Sequence, residues 1–117
     1  MTVTNALASL AVADLDAASA WYQRLLGPGT RPMPELVEWQ FDGGGGLQIY
    51  LAPERAGHGS CTMVVDDIDV ITARVLSAGL ADDARPQHHD TVDTLMITDP
   101  DGNSIAFAKA HTDDLAR

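Results

Sequence analysis

The segment Asp99-Pro-Asp-Gly-Asn-Ser-Ile-Ala-Phe-Ala constrains this chain most, because a turn followed by an alternating strand recurs, loosely, half a chain earlier at Asp42-Gly-Gly-Gly-Gly-Leu-Gln-Ile-Tyr-Leu. In Asp-Pro-Asp-Gly, proline fixes φ at the second turn position and glycine accepts the left-handed conformation that closes the turn. The strand entering at Thr94 to Thr98 is thereby folded back into Ser104 to Ala108 as a hairpin. The front half of the unit repeats as well. Leu10-Ala-Val-Ala-Asp-Leu-Asp16 is matched by Met63-Val-Val-Asp-Asp-Ile-Asp69, an offset of 53 residues (63 minus 10). Each copy is an apolar strand running into acidic residues suited to cap a helix.

Ala17 to Leu26 set Ala18, Trp21, Tyr22, Leu25 and Leu26 at helical spacing, and Val70 to Ala78 do the same with Ile71, Val75 and Ala78. Both predicted helices stop at glycine, Gly27 and Gly79, as helix C-termini commonly do. Polar, proline-containing loops (Pro28 to Pro34, Asp82 to Asp90) and a hairpin follow in each half, so the order is strand, helix, then two or three strands, written twice. A length of 117 residues with 45% hydrophobic content suits one domain built from two such modules, about 5–52 and 59–110, and Ala52 to Gly59 is too short a joint to separate them.

Several function classes are disfavoured. No apolar run approaches ~18 residues and no charged-then-apolar amino terminus is present, so neither a membrane span nor a signal peptide is expected. The single cysteine, Cys61, argues against a disulfide framework and suits a reducing cytoplasm. A net charge of −10, with seven Lys and Arg in all, offers no basic footprint for a nucleic acid.

Two strand-helix-strand-strand-strand modules, a Val-x-Asp-Leu-Asp helix start leading to Trp21-Tyr22 and Leu25-Leu-Gly27, and a closing Asp-Pro-Asp-Gly-Asn hairpin resemble the vicinal oxygen chelate superfamily of glyoxalase I, bleomycin-resistance proteins and extradiol dioxygenases. The resemblance covers residues 5 to 109. It implies an α+β fold of two tandem βαβββ modules whose curved mixed sheet surrounds a cavity, and it implies homodimerisation. It does not fix the reaction, since this scaffold hosts lyases, dioxygenases, thiol transferases and drug-binding proteins.

Strand alternation locates the expected cavity face. Cys61, Met63 and Val65 form the set packed on a helix, leaving Ser60, Thr62 and Val64 opposite; likewise Ala8, Leu10 and Val12 face inward, and Leu7, Ser9 and Ala11 outward. In the hairpins Leu47, Ile49, Leu51, Ile105 and Phe107 pack, while Gln48, Tyr50, Ser104, Ala106 and Ala108 face away. Trp39 shares its parity with Val37 and Phe41, so it belongs to the core or borders the cavity. The candidate ligand-binding residues are Leu7, Ser9, Trp39, Gln48, Tyr50, Ser60, Thr62 and Ala106.

In the family's metalloenzymes a histidine or glutamine early in the first strand of each module and a glutamate in the last strand hold one divalent metal. Those places fall on Leu7, Ser60 and Ala106, with Gln48 nearest the remaining acidic position, or Tyr50 if the alignment slips by a residue in the glycine run. Leucine and alanine have no donor atom, and serine or a lone amide is a poor ligand for a borderline cation. No metal and no other cofactor is therefore expected.

Other features have ordinary readings. His88-His89-Asp90 is expected in a solvent-exposed loop, with alternate residues pointing opposite ways rather than sharing a metal. His58 is read as a surface loop residue or a contact at the cavity mouth, and His111 as part of a tail, Ala110 to Arg117, that frays. Gly43 to Gly46 lack a following Lys-Ser/Thr and read as a hairpin loop rather than a phosphate cradle. Cys61 reads as an inert core thiol, Trp21 and Tyr22 as helix core with the Tyr22 hydroxyl near a rim, and the acids at 14, 16, 66, 67 and 69 as helix-start residues. The leading expectation is a metal-free small-molecule binder with an aromatic or cationic ligand; an enzyme, either metal-dependent through atypical ligands such as His58 and Gln48 or acid-base through Tyr50, and a structural or regulatory dimer stand as alternatives.

Overall fold

Asp14 and Asp67 start the two helices in the same way. Each has an extended backbone, and its side chain accepts hydrogen bonds from the orphan N–H groups of the first turn: Asp14 from Ala17, Asp67 from Asp69 and Val70. The structure, a computed structural model, describes residues 2–111. Because the caps themselves sit at 14 and 67, helix α1 spans Leu15–Leu26 and helix α2 spans Ile68–Ser77, each opening two residues before the apolar periodicity makes it evident. Gly27 (φ 84) and Gly79 (φ 69) end them in the left-handed region. At α2 the termination is a full Schellman arrangement, with Leu80 N–H donating to the Val75 carbonyl and Gly79 N–H to that of Leu76.

The strands complete two modules of the same element order. In the first, β1 (Leu7–Val12) precedes α1, and β2 (Thr30–Met33), β3 (Leu36–Gln40) and β4 (Gly46–Leu51) follow it. In the second, β5 (Ser60–Val64) precedes α2, and β6 (Gln87–His88), β7 (Val92–Thr98) and β8 (Ser104–Ala110) follow. The sheet orders are β1-β4-β3-β2 and β5-β8-β7-β6, with the outer pairs β1/β4 and β5/β8 parallel and the remainder antiparallel. The two sheets adjoin where β1 packs against β5. One buried cluster joins the modules, running from Leu10, Trp21, Tyr22 and Trp39 to Met63, Val75, Leu95 and Phe107, so both helices lie on its side and the opposite sheet faces stay open.

The glycine run is a hairpin loop, closed by Phe41 N–H to the Gly45 carbonyl, with Gly44 and Gly45 at positive φ. The Asp99 to Asn103 turn does more than reverse the chain. Asp99 Oδ1 accepts from Asp101 and Asn103 N–H, and Oδ2 from the Tyr22 hydroxyl (2.7 Å) and Asn103 Nδ2 (2.8 Å). Asn103 Nδ2 also donates to the Ala11 carbonyl in β1, and its Oδ1 accepts from Gly59 N–H in the linker. The Tyr22 hydroxyl is thus fully buried at the module junction and not near a rim, and burial, reinforced by the Asp99 carboxylate, pushes its pKa strongly up.

Two inward assignments do not hold, and two outward ones are buried. Ala8 is exposed because burial in β1 begins only at Leu10, and Leu51 is exposed at the end of β4, whereas Ala11 and Ala108 on the open side are small enough to be covered by their neighbours. Ala110 closes β8, and His111 N–H donates to the Thr91 carbonyl, so the start of the tail is ordered; residues 112–117 lie outside the described part.

Candidate functional site

The open face of the first sheet is built by register. Ser9, Gln48 and Glu38 stand opposite one another on β1, β4 and β3, and a residue further along the same face come Ala11, Tyr50 and Leu36. Ser9 Oγ donates to Gln48 Oε1, Gln48 Nε2 donates to Glu38 Oε1, and Gln40 Nε2 donates to Glu38 Oε2, each at 3.0 Å. The ladder crosses three strands and ends on a carboxylate. Amide donors, Gln40 before Gln48, hold the Glu38 pKa below the ordinary carboxylate range, against a smaller opposing effect of burial. Tyr50 is half-buried, with the Arg55 guanidinium over its ring at 6.0 Å.

The open face of the second sheet carries Ser60 opposite Ser104, Thr62 opposite Ala106, and Met96 beside Ala106. Ser60 and Thr62 lie on β5 and Leu7 and Ser9 on β1, the two strands along which the sheets adjoin. Seven of the eight expected ligand residues therefore occupy the open faces. Trp39 does not: it is 5% exposed, pairs with Leu47 on the helix side, stacks near Tyr22 (5.8 Å between centroids) and donates from Nε1 to the Gly27 carbonyl at 2.8 Å. Its aromatic area is spent in the core, and Glu38, its neighbour of opposite parity, takes the place on the face.

Two depressions on the surface are lined by other residues. A depression of about 690 Å³ lies on the outer side of α1 against Ala17, Ala20, Trp21, Gln23, Arg24 and Pro100, away from the polar ladder. A smaller one of about 280 Å³ reaches Met96 and Ser104 at the edge of the second open face. Leu7, Val64 (51% exposed) and Met96 (60% exposed) leave apolar surface on the open faces themselves.

Leu7 and Ala106 present only hydrocarbon where the family's metalloenzymes place ligands, Ser60 is an exposed hydroxyl, and both ends of the Gln48 amide are engaged with Ser9 and Glu38. Among the described residues, no three His, Cys, Asp or Glu side chains converge on a point that could hold a metal ion. The histidines are placed otherwise. His58 is exposed in the linker, His89 contacts Thr94, and His88 Nδ1 and His111 Nε2 both approach Asp93 Oδ1, at 2.8 and 2.9 Å. Cys61 is half-buried, and burial, with the nearby Asp99 carboxylate, raises its thiol pKa.

Two βαβββ modules with a shared core and open sheet faces define the glyoxalase/bleomycin-resistance fold. The chain belongs to the Glyoxalase/Bleomycin resistance protein/Dioxygenase superfamily, whose profile matches residues 4–107. It is similar to a glyoxalase/bleomycin resistance protein from Catenulispora acidiphila at 35% identity, covering 92% of this chain and 99% of that one with a TM-score of 0.81. The fold is shared with TnmS3, an antibiotic binding protein from Streptomyces (23% identity, 94% and 98% covered, TM-score 0.73), and with a bleomycin resistance determinant encoded on the transposon Tn5 (18%, 94% and 100%, TM-score 0.74). No curated protein matches the sequence. No helix among the described residues is long and apolar enough to cross a membrane.

Proposed function

We propose that this protein binds a small molecule, a drug or metabolite with aromatic or cationic character, on its open sheet faces and sequesters it without a metal and without turnover. The observation that carries this reading is the donor set: hydrocarbon at Leu7 and Ala106, and a Gln48 amide already engaged on both sides, offer no chelate to a divalent cation, while the hydroxyls and amides around them suit the polar atoms of an organic ligand. The antibiotic-binding description of one structural neighbour and the resistance role of another support it. The net charge of −10 draws cationic ligands by long-range attraction. A second copy of the chain covers Leu7, Val64 and Met96 and closes the face into a cavity.

The test is elemental analysis of protein purified without chelator, followed by calorimetric titration with bleomycin in the presence and absence of EDTA. Saturable binding, unchanged by EDTA, with no stoichiometric transition metal is the expected result. Near one equivalent of zinc, nickel or iron per chain, with binding abolished on chelation, would overturn it.

A further inference from the structure

We propose that Glu38 is the residue that selects the ligand's charge, its carboxylate acting as counter-ion to an ammonium, amidinium or guanidinium group on a flat molecule laid across β1, β4 and β3. The inference rests on the metal-free binding reading above and deepens it. Both Glu38 oxygens are fixed by hydrogen bonds, but from neutral amides, Gln48 Nε2 on one and Gln40 Nε2 on the other. Neutral donors orient a carboxylate and leave its charge uncompensated, whereas a partner serving only the fold on a solvated sheet face would more simply be a lysine or arginine. Among the described residues, no cation pairs with Glu38; the ion pairs that form are Arg31–Asp16 and those of His88 and His111 with Asp93.

The surroundings match a flat cationic ligand. Ser9 steers the Gln48 carbonyl, so the amide's nitrogen is directed to Glu38 and the carboxylate is held in one orientation. Tyr50 lies diagonally across the β3/β4 pair, a spacing of roughly 7–8 Å between backbone positions, and offers an aromatic surface beside the charge. The Arg55 guanidinium stands over the Tyr50 ring at 6.0 Å. A planar cation can take that stacking place and meet the Glu38 carboxylate through its N–H donors.

Two fluorescent dyes of similar shape separate charge from surface area: proflavine, a cation at neutral pH, and acridine, which is neutral there. Each is titrated into the wild-type protein, Glu38→Gln, and Glu54→Gln, a control that removes the same charge from the exposed linker. Glu38→Gln should weaken proflavine about tenfold and leave acridine unchanged, with Glu54→Gln altering neither. Equal loss of proflavine in both variants, loss in neither, or loss of both dyes in Glu38→Gln would overturn the role of Glu38 while wild-type binding stands. Absence of saturable binding of either dye to the wild type would overturn the binding reading itself, and this inference with it.

Discussion

Asn103 has no exposed surface, and its one amide ties the closing turn to β1 through Ala11, to the linker through Gly59 and to Asp99 beside it. Asn103→Ala leaves a buried carbonyl and N–H unpaired, and should lower unfolding free energy by roughly 2–4 kcal/mol in urea titration, with the midpoint reading the change. The Asp-Pro-Asp-Gly-Asn motif is legible from sequence as a turn, but its role as the joint between modules is not. That role depends on partners 92 and 44 residues away. The glycines make a second residue-scale contrast. A methyl group at Gly46 would collide with the Trp39 carbonyl oxygen and crowd Leu7, whereas at Gly43 it would meet open space, with no positive φ to resist it. Gly46→Ala should cost about 1–3 kcal/mol and Gly43→Ala almost nothing, as thermal or urea unfolding of the two variants will show.

At the scale of elements, His88 on β6, Asp93 on β7 and His111 just after β8 form a clasp across the outer edge of the second sheet. The Asp93 hydrogen bond, then the Asp90 carbonyl, raises the His111 pKa, with desolvation and, more weakly, Lys109 opposing, and the His111 and His88 bonds lower that of Asp93. A raised histidine contributes stability that is full below its unfolded value near 6.5 and fades as pH rises through the folded value. A lowered carboxylate contributes above its unfolded value near 3.8 and fades as pH falls through the folded one. Asp93→Asn should therefore lower the melting temperature more at pH 5.5 than at pH 9, and an equal effect at both would contradict the clasp. From sequence, His88-His89-Asp90 is visible as a polar loop; Asp93 and His111 are not, because three-strand register brings them together. Both helices and both hairpins, by contrast, follow from local signals such as Asp14, Asp67, Gly27, Gly79 and alternation in β4 and β8.

For the whole molecule, extents of 44 × 41 × 24 Å describe a plate about as thick as one sheet with one layer of helices, so the opposite face is free to receive a ligand or a second copy. Parity was sufficient to put Leu7, Ser9, Gln48, Tyr50, Ser60, Thr62 and Ala106 on that face, since side chains alternate strictly along a strand. It left Trp39 open, because an aromatic residue suits either side until the Gly27 carbonyl is seen to accept from its indole. Parity also set Glu38 opposite Trp39 without revealing that the β3/β4 register aligns it with Gln48. The most direct test of metal-free binding on the open face is a 1H–15N NMR titration of chelator-treated protein with proflavine. The expected result is a set of saturating shifts, with a common Kd, at Ser9, Glu38, Gln48, Tyr50, Ser60 and Thr62. Shifts confined to Ala17, Ala20, Gln23 and Arg24 on the outer side of α1, or shifts that arise only after a divalent metal is added, would contradict it.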